Sequence, residues 1–327
     1  MRVRKNIEIY ICIIAGWLFC WSSNLYGQQE PLFTQYMNNP LLMNPAFAGT
    51  RNSLAMDMFV RLQWVGMQDA PATYYYGVHT PINDTKMSVG GNILSDHVGP
   101  VMTNQLSFVY SYLVRTGLQS FISFGISGGL NNYWANLSGL RVVNQSDPHF
   151  SGRMENEFRP TFGTGAVLFT PDFYLSVSVP QVLNSQIRYT ERENHTFDTR
   201  RHYYLTTGYR FHFNPELNAR ISSLARIVED DINTYDFHMH FTYNNFLKLG
   251  GAYRINNAAA LIVGIQINEN WGVNYSYDFP LYSNTLHNIS SQEISITFDS
   301  FRFVQRNRDR EFRRAAEDGG VRSFRYF

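Results

Sequence analysis

The chain has 327 residues, of which 16% are charged, 16% aromatic and 44% hydrophobic, with a formal net charge of +1. So neutral a balance argues against nucleic acid as a main partner. Both cysteines, Cys12 and Cys20, lie within the first 27 residues, so the rest of the chain has no disulfide, no thiolate nucleophile and no cysteine-held metal.

Arg2, Arg4 and Lys5 precede an apolar stretch from Ile7 to Trp21, then a polar run that ends at Gly27. This pattern predicts a secretory signal over residues 1–27, with the mature chain starting at Gln28. Phe19 stands where lipidation of Cys20 would need a small residue. Cleavage removes Arg2, Arg4, Lys5 and Glu8 and leaves the mature chain close to neutral.

Residues 28–52 hold Asn39-Pro40 and Asn44-Pro45 and cannot form a regular strand throughout. Leu32, Phe33, Tyr36, Leu41, Leu42 and Phe47 carry too much apolar surface for a solvated linker. The segment is expected to pack against the rest, as a periplasmic or plug segment.

Strands are expected over 53–64, 72–81, 85–95, 101–115, 119–134, 159–169, 172–180, 198–213, 216–228, 232–243, 246–255, 258–268, 270–280 and 289–303. The clearest is 271–279. Trp271, Val273, Tyr275, Tyr277 and Phe279 take one face, while Gly272, Asn274, Ser276 and Asp278 take the other. A soluble sandwich would turn the polar face to bulk water. An outer-membrane barrel would turn it to the lumen and the aromatic face to lipid.

The connections favour the barrel. Thr170-Pro171, Asn214-Pro215, Asn244-Asn245 and Glu269 mark tight turns on one side, whereas the long connections 135–158, 181–197 and 281–288 fall on the other. Short connections near Asp230-Asp231 and Asn256-Asn257 depart from the pattern. The fold class is therefore all-β: a transmembrane antiparallel barrel of about 14 strands over 53–303. An irregular N-terminal segment precedes it. A charged tail follows over 304–327, with seven Arg against four acids.

Gln35-Tyr36, Asn39-Pro40, Asn44-Pro45-Ala46 and Gly49, followed by Gln63-Trp64 and Gly66, resemble the landmarks of the PorP/SprF family. Ser178-Val179-Pro180, Arg201-His202-Tyr203-Tyr204 and Tyr277-Asp278-Phe279-Pro280-Leu281 extend the resemblance in the same order. It implies an outer-membrane protein of the type IX secretion system of Bacteroidetes, without enzymatic activity or cofactor. Such a protein helps export or retain a large adhesin or gliding-type cargo. The implied partners are that cargo with its C-terminal signal domain, the secretion machinery and outer-membrane lipid. The alternative is a passive channel or porin for small solutes.

Residues in the long connections supply candidate cargo contacts: His149, Phe150, Arg153, Tyr189, Arg192 and Phe197. Aromatic residues and Arg are enriched in protein–protein hot spots. His238 and His240 share a strand face, but no third ligand lies at a fixed short spacing, so a satisfied lumen is the expectation. Arg210, Arg220 and Arg226 are expected to pair with Asp236, Asp278 and Asp299 across the lumen. Tyr74, Tyr76, Tyr174 and Tyr204 are expected to point inward and narrow it. No nucleophile elbow marks out a catalytic serine.

Overall fold

A computed structural model describes residues 31–82, 85–135, 157–183, 186–188, 196–198, 200–229, 233–255, 257–281 and 290–300. The signal region 1–27 and the tail 304–327 lie outside them. No helix among the described residues is long and apolar enough to cross a membrane, which says nothing of strands.

The strands in chain order are β1 (Leu54–Leu62), β2 (Ala72–Pro81), β3 (Met87–Val98), β4 (Val101–Arg115), β5 (Phe121–Ala135), β6 (Glu157–Phe169), β7 (Phe173–Val179), β8 (Gln186–Arg188) and β9 (Thr196–Asp198). They continue with β10 (His202–His212), β11 (Leu217–Val228), β12 (Thr234–Tyr243), β13 (Leu247–Arg254), β14 (Ala258–Gln266), β15 (Trp271–Pro280) and β16 (Ser291–Ser300). All but β8 and β9 form one closed antiparallel barrel of fourteen strands, with β7 beside β10 and β16 paired back onto β1. Closure removes the free edges that an open sheet would leave unpaired. β8 and β9 make a separate hairpin. It lies in a connection that the sequence marks only as a loop.

Period-two alternation fixes the two faces. On β12, Tyr235, Phe237, Met239, Phe241 and Tyr243 are exposed, while Asp236, His238 and His240 are buried. Exposed Phe108, Phe124, Ile126 and Leu261 continue the outer apolar band on other strands. β2 corrects one expectation. Tyr74 and Tyr76 are exposed on the outer face, and Tyr75 is the buried one. Tyr174 and Tyr204 do point inward.

The connections sort by length. At the end where β1 starts and β16 finishes they span 82–86, 116–120, 170–172, 213–216, 244–246 and 267–270. At the opposite end they span 63–71, 99–100, 136–156, 180–201, 229–233, 255–257 and 281–290. The tight 99–100 turn, with Gly99 at φ 56°, joins the two short exceptions read from the sequence.

Neighbouring strands approach closely where glycines stand. A Cβ on Gly129 would overlap the Leu106 carbonyl of β4, and one on Gly250 would overlap His240 of β12. These positions are close backbone approaches.

Candidate functional site: the filled lumen and the uneven rim

The lumen is filled by residues 31–53. Asn39-Pro40 and Asn44-Pro45 start two short 3₁₀ turns, Pro40–Leu42 and Pro45–Phe47. Proline suits the first position of such a turn, because its missing N–H would have had no partner there. The Asn44 side chain works on both sides. Its Oδ1 accepts from Ala46 N–H at 2.8 Å. Its Nδ2 reaches Ser176 Oγ at 2.8 Å, Val177 O at 3.0 Å and Ala166 O at 3.1 Å on the wall. Gly49, at φ 69°, takes a left-handed bend, and its N–H donates to His79 Nδ1 at 2.9 Å.

Partners of the segment run around the barrel. Thr34 N–H and Gln35 N–H both donate to the Glu293 carboxylate of β16, at 2.7 and 2.8 Å. Thr34 Oγ1 donates to Asp278 of β15 at 2.6 Å. Arg254 of β13 donates to Phe33 O at 3.3 Å. Ser111 of β4 donates to Ala48 O, and Ser178 of β7 to Met43 O, each at 2.8 Å. The segment thus satisfies its irregular backbone on the wall.

Packing completes the seal. Phe47 and Ala46 cluster with Phe121, Phe169, Val167, Leu113 and Tyr174. Phe33, Tyr36, Met37 and Met43 cluster with Phe59, Tyr75, Tyr204 and Leu224. Each fully covered large side chain contributes about 1.5–3 kcal/mol. A Cβ on Gly125 would overlap the Ala46 backbone, and one on Gly165 would overlap the Asn44 side chain. These glycines leave room for the segment.

The segment has a direction. Thr34 and Gln35 are held by Glu293, near the Ser291 end of β16, where the long connections lie. Ser53 donates to Asp299 at 2.6 Å, beside the Ser300 end. The chain therefore runs down the lumen from the long-connection end before turning into β1.

Among the described residues, three buried ion-pair groups hold the inner wall and the N-terminal segment. Arg61 lies 2.9 Å from Asp278 and also pairs with Glu293. Arg51 lies 2.8 Å from Asp57 and 3.8 Å from Asp299. Arg254 binds both oxygens of Asp236, at 2.7 and 3.1 Å. The acids Asp236, Asp278 and Asp299 are thus paired, but with Arg254, Arg61 and Arg51 rather than Arg210, Arg220 and Arg226. Period two places a residue on a face and says nothing of its neighbour across the lumen. Asp57 and Arg61, both on the polar phase of β1, were the signal in the sequence. His238, His240 and His202 are buried on the inner face, but His212 is exposed and lies 2.7 Å from Asp172.

The motif residues divide between the lumen and the rim. Gln35, Tyr36, Asn39, Asn44, Pro45, Ala46 and Gly49 are buried in the segment, and Pro40 is half-buried. Gln63, Trp64 and Gly66 form the β1–β2 connection, where Trp64 and Gly66 have positive φ. That connection is tied to the start of β16 by Val65 N–H donating to Ser290 O at 2.8 Å. Of the candidate cargo contacts, His149, Phe150, Arg153, Tyr189 and Arg192 lie outside the described residues. Phe197 falls in β9, opposite Ile187. Asn131 and Asn132 lie in β5.

The rim at the long-connection end is uneven. β4 and β5 pair over Val101–Arg115 and Phe121–Ala135, whereas β7 meets β6 only at Thr164–Phe169 and β10 only at Tyr204–Tyr209. The turns at the other end are short throughout. The extra length of β3–β6 therefore rises as a wall on one side and steps down at β7.

Several solved barrels are similar in fold. A Pseudomonas aeruginosa FadL homologue aligns at TM-score 0.47 and 12% identity, covering 78% of this chain and 93% of that one. The CymD monoaromatic hydrocarbon channel aligns at 0.47 and 11%, covering 84% and 94%. The Acinetobacter baumannii outer membrane protein Omp33 aligns at 0.45 and 8%, covering 76% and 99%. No curated protein matches the chain. A family model, described as type IX secretion system membrane protein PorP/SprF, matches residues 25–298. With its closed barrel, the chain therefore belongs to the PorP/SprF family of outer-membrane proteins of type IX secretion.

Proposed function

We propose that this barrel binds a large secreted protein, through that protein's C-terminal signal domain, and holds it at the outer face during export or surface retention. It does so as a docking platform, with no enzymatic step and no cofactor. The observation that carries this reading is the lumen, filled by residues 31–53 and stitched to strands on every side. A solute channel needs an open path. A docking platform needs a rigid barrel and an elaborated outer rim, and the β3–β6 wall beside the long 136–156 and 180–201 connections supplies one. His149, Phe150, Arg153, Tyr189, Arg192 and Phe197 are the proposed contacts in those connections.

Deleting the gene should abolish surface display of one or a few large proteins and leave small-solute uptake unchanged. Replacing 136–156 and 189–195 by Gly-Ser linkers, together with Phe197→Ala, should keep a folded barrel and lose the cargo. Intact display with both replacements would move binding elsewhere. Impaired solute uptake with normal display would make the protein a porin.

A further inference from the structure

The β1–β2 connection, residues 63–71, is held in a conformation that costs free energy. Trp64 and Asp69 take left-handed backbone at φ 52° and 56°, beside Gly66 at φ 101°. A bulky side chain rarely stands there, and such residues persist only where their surroundings fix them. Hydrogen bonds do so here. Gln63 N–H donates to Pro71 O at 2.9 Å, Val65 N–H to Ser290 O at 2.8 Å and Met67 N–H to Trp64 O at 3.1 Å. Trp64 N–H donates to Ser291 Oγ at 3.3 Å. The loop so fixed leaves its apolar side chains uncovered. Trp64, Val65 and Met67 are 39%, 40% and 44% exposed, as much as Tyr275 and Val263 on the lipid face, at 38% and 42%.

Clustered exposed apolar groups mark a contact with protein or with membrane. Two observations select the membrane. The loop continues the lipid-facing band, because Met58 and Leu62 of β1, Tyr74 and Tyr76 of β2 and Ile294 of β16 are exposed on the outer face of the strands that adjoin it. From Leu62 to Pro71 the one ionisable side chain is Asp69, next to Gln68. Contact with lipid therefore desolvates no charge at residues 64–67. An indole, with an apolar body and one N–H, suits the boundary between headgroups and acyl chains.

We propose that residues 64–67 form a lipid-contact loop. Trp64, Val65 and Met67 sit at the headgroup–acyl boundary of the outer leaflet, on the side where longer connections belong, and Gln68 and Asp69 stay in water. The loop thereby fixes the height of the β1–β16 seam in the membrane. This inference does not depend on the cargo reading.

The test uses the purified protein in phosphatidylcholine vesicles whose acyl chains are brominated either near the carbonyl end or near the methyl end. Trp64, Trp134 and Trp271 are the tryptophans beyond residue 27. The Trp134→Phe/Trp271→Phe variant therefore reports Trp64 alone. Its emission should be quenched by both lipids, and more by bromine near the carbonyl end. Stronger quenching from the methyl end would overturn the interfacial placement. No quenching by either lipid, with the red-shifted emission of an indole in water, would overturn lipid contact and leave the loop as a protein-facing surface. If the double variant fails to fold, Trp64→Phe in the otherwise unchanged chain decides. It should remove part of the quenching from the carbonyl end, and unchanged quenching would count against the proposal.

Discussion

Arg61 of β1 and Glu293 of β16 stand directly opposite each other at the seam where the first and last barrel strands meet. The same Glu293 carboxylate accepts the N–H groups of Thr34 and Gln35. One side chain therefore joins barrel closure to filling of the lumen. Glu293→Ala would leave the buried Arg61 guanidinium with Asp278 alone and strand two backbone donors. Breaking a buried pair costs about 3–5 kcal/mol. The variant should lose most of its compact, heat-modifiable gel band, and Glu293→Gln should lose less. Wild-type stability of Glu293→Ala in a denaturant titration would show that the seam closes without this pair.

Gly125 and Gly165 separate the segment from the barrel. A Cβ at Gly125 overlaps the Ala46 backbone, and one at Gly165 overlaps the Asn44 side chain and, less severely, Ser178 of β7. Gly125→Leu and Gly165→Leu should thus keep the heat-modifiable band yet raise single-channel conductance in planar bilayers and open the segment to protease. Unchanged conductance in both variants would mean that the lumen is sealed by something other than residues 44–46.

The two faces of β15 should respond differently to the same substitutions. Tyr275 is exposed on the lipid side, where Arg near the membrane midplane costs about 2–4 kcal/mol. Asn274 is buried, donates to Ser295 Oγ at 3.1 Å and packs against Gly264. Tyr275→Arg should block insertion, whereas Tyr275→Phe should be silent. Asn274→Arg should also fail, through lack of space, whereas Asn274→Ser should fold. A folded Asn274→Arg barrel would show that the lumen here is open and wet.

The strands were legible because one face of each had to be apolar. β12 reads cleanly, since its Tyr, Phe and Met positions alternate with Asp and His. β2 does not, because Thr73-Tyr74-Tyr75-Tyr76 offers aromatics on both phases. Only the packing of Tyr75 under the segment distinguishes them. The ion pairs were illegible for a different reason. Arg61 and Glu293 lie 232 residues apart in sequence, and only barrel closure makes them neighbours. Asn44 and Gln35 stood out as motif residues, yet their task needs the wall around them to be visible. The uneven rim follows from the pairing of β6 with β7, which strand patterns alone do not specify.

Orientation can be tested cleanly, because no cysteine follows Cys20 in the chain. Short turns belong on the periplasmic side of an outer-membrane barrel and longer loops on the outside. Gln68 is exposed in the 63–71 connection at the long-connection end, and Glu216 is exposed in a short turn at the other. In intact cells a membrane-impermeant maleimide should label Gln68→Cys and spare Glu216→Cys. Pro31 lies just before Thr34, which is anchored toward the long-connection end of β16. It is partly exposed, so Pro31→Cys should label from outside, more slowly than Gln68→Cys. Labelling of Glu216→Cys alone would invert the barrel. If Gln68→Cys labels in intact cells but Pro31→Cys labels only after the periplasm is opened, the segment runs through the lumen the other way.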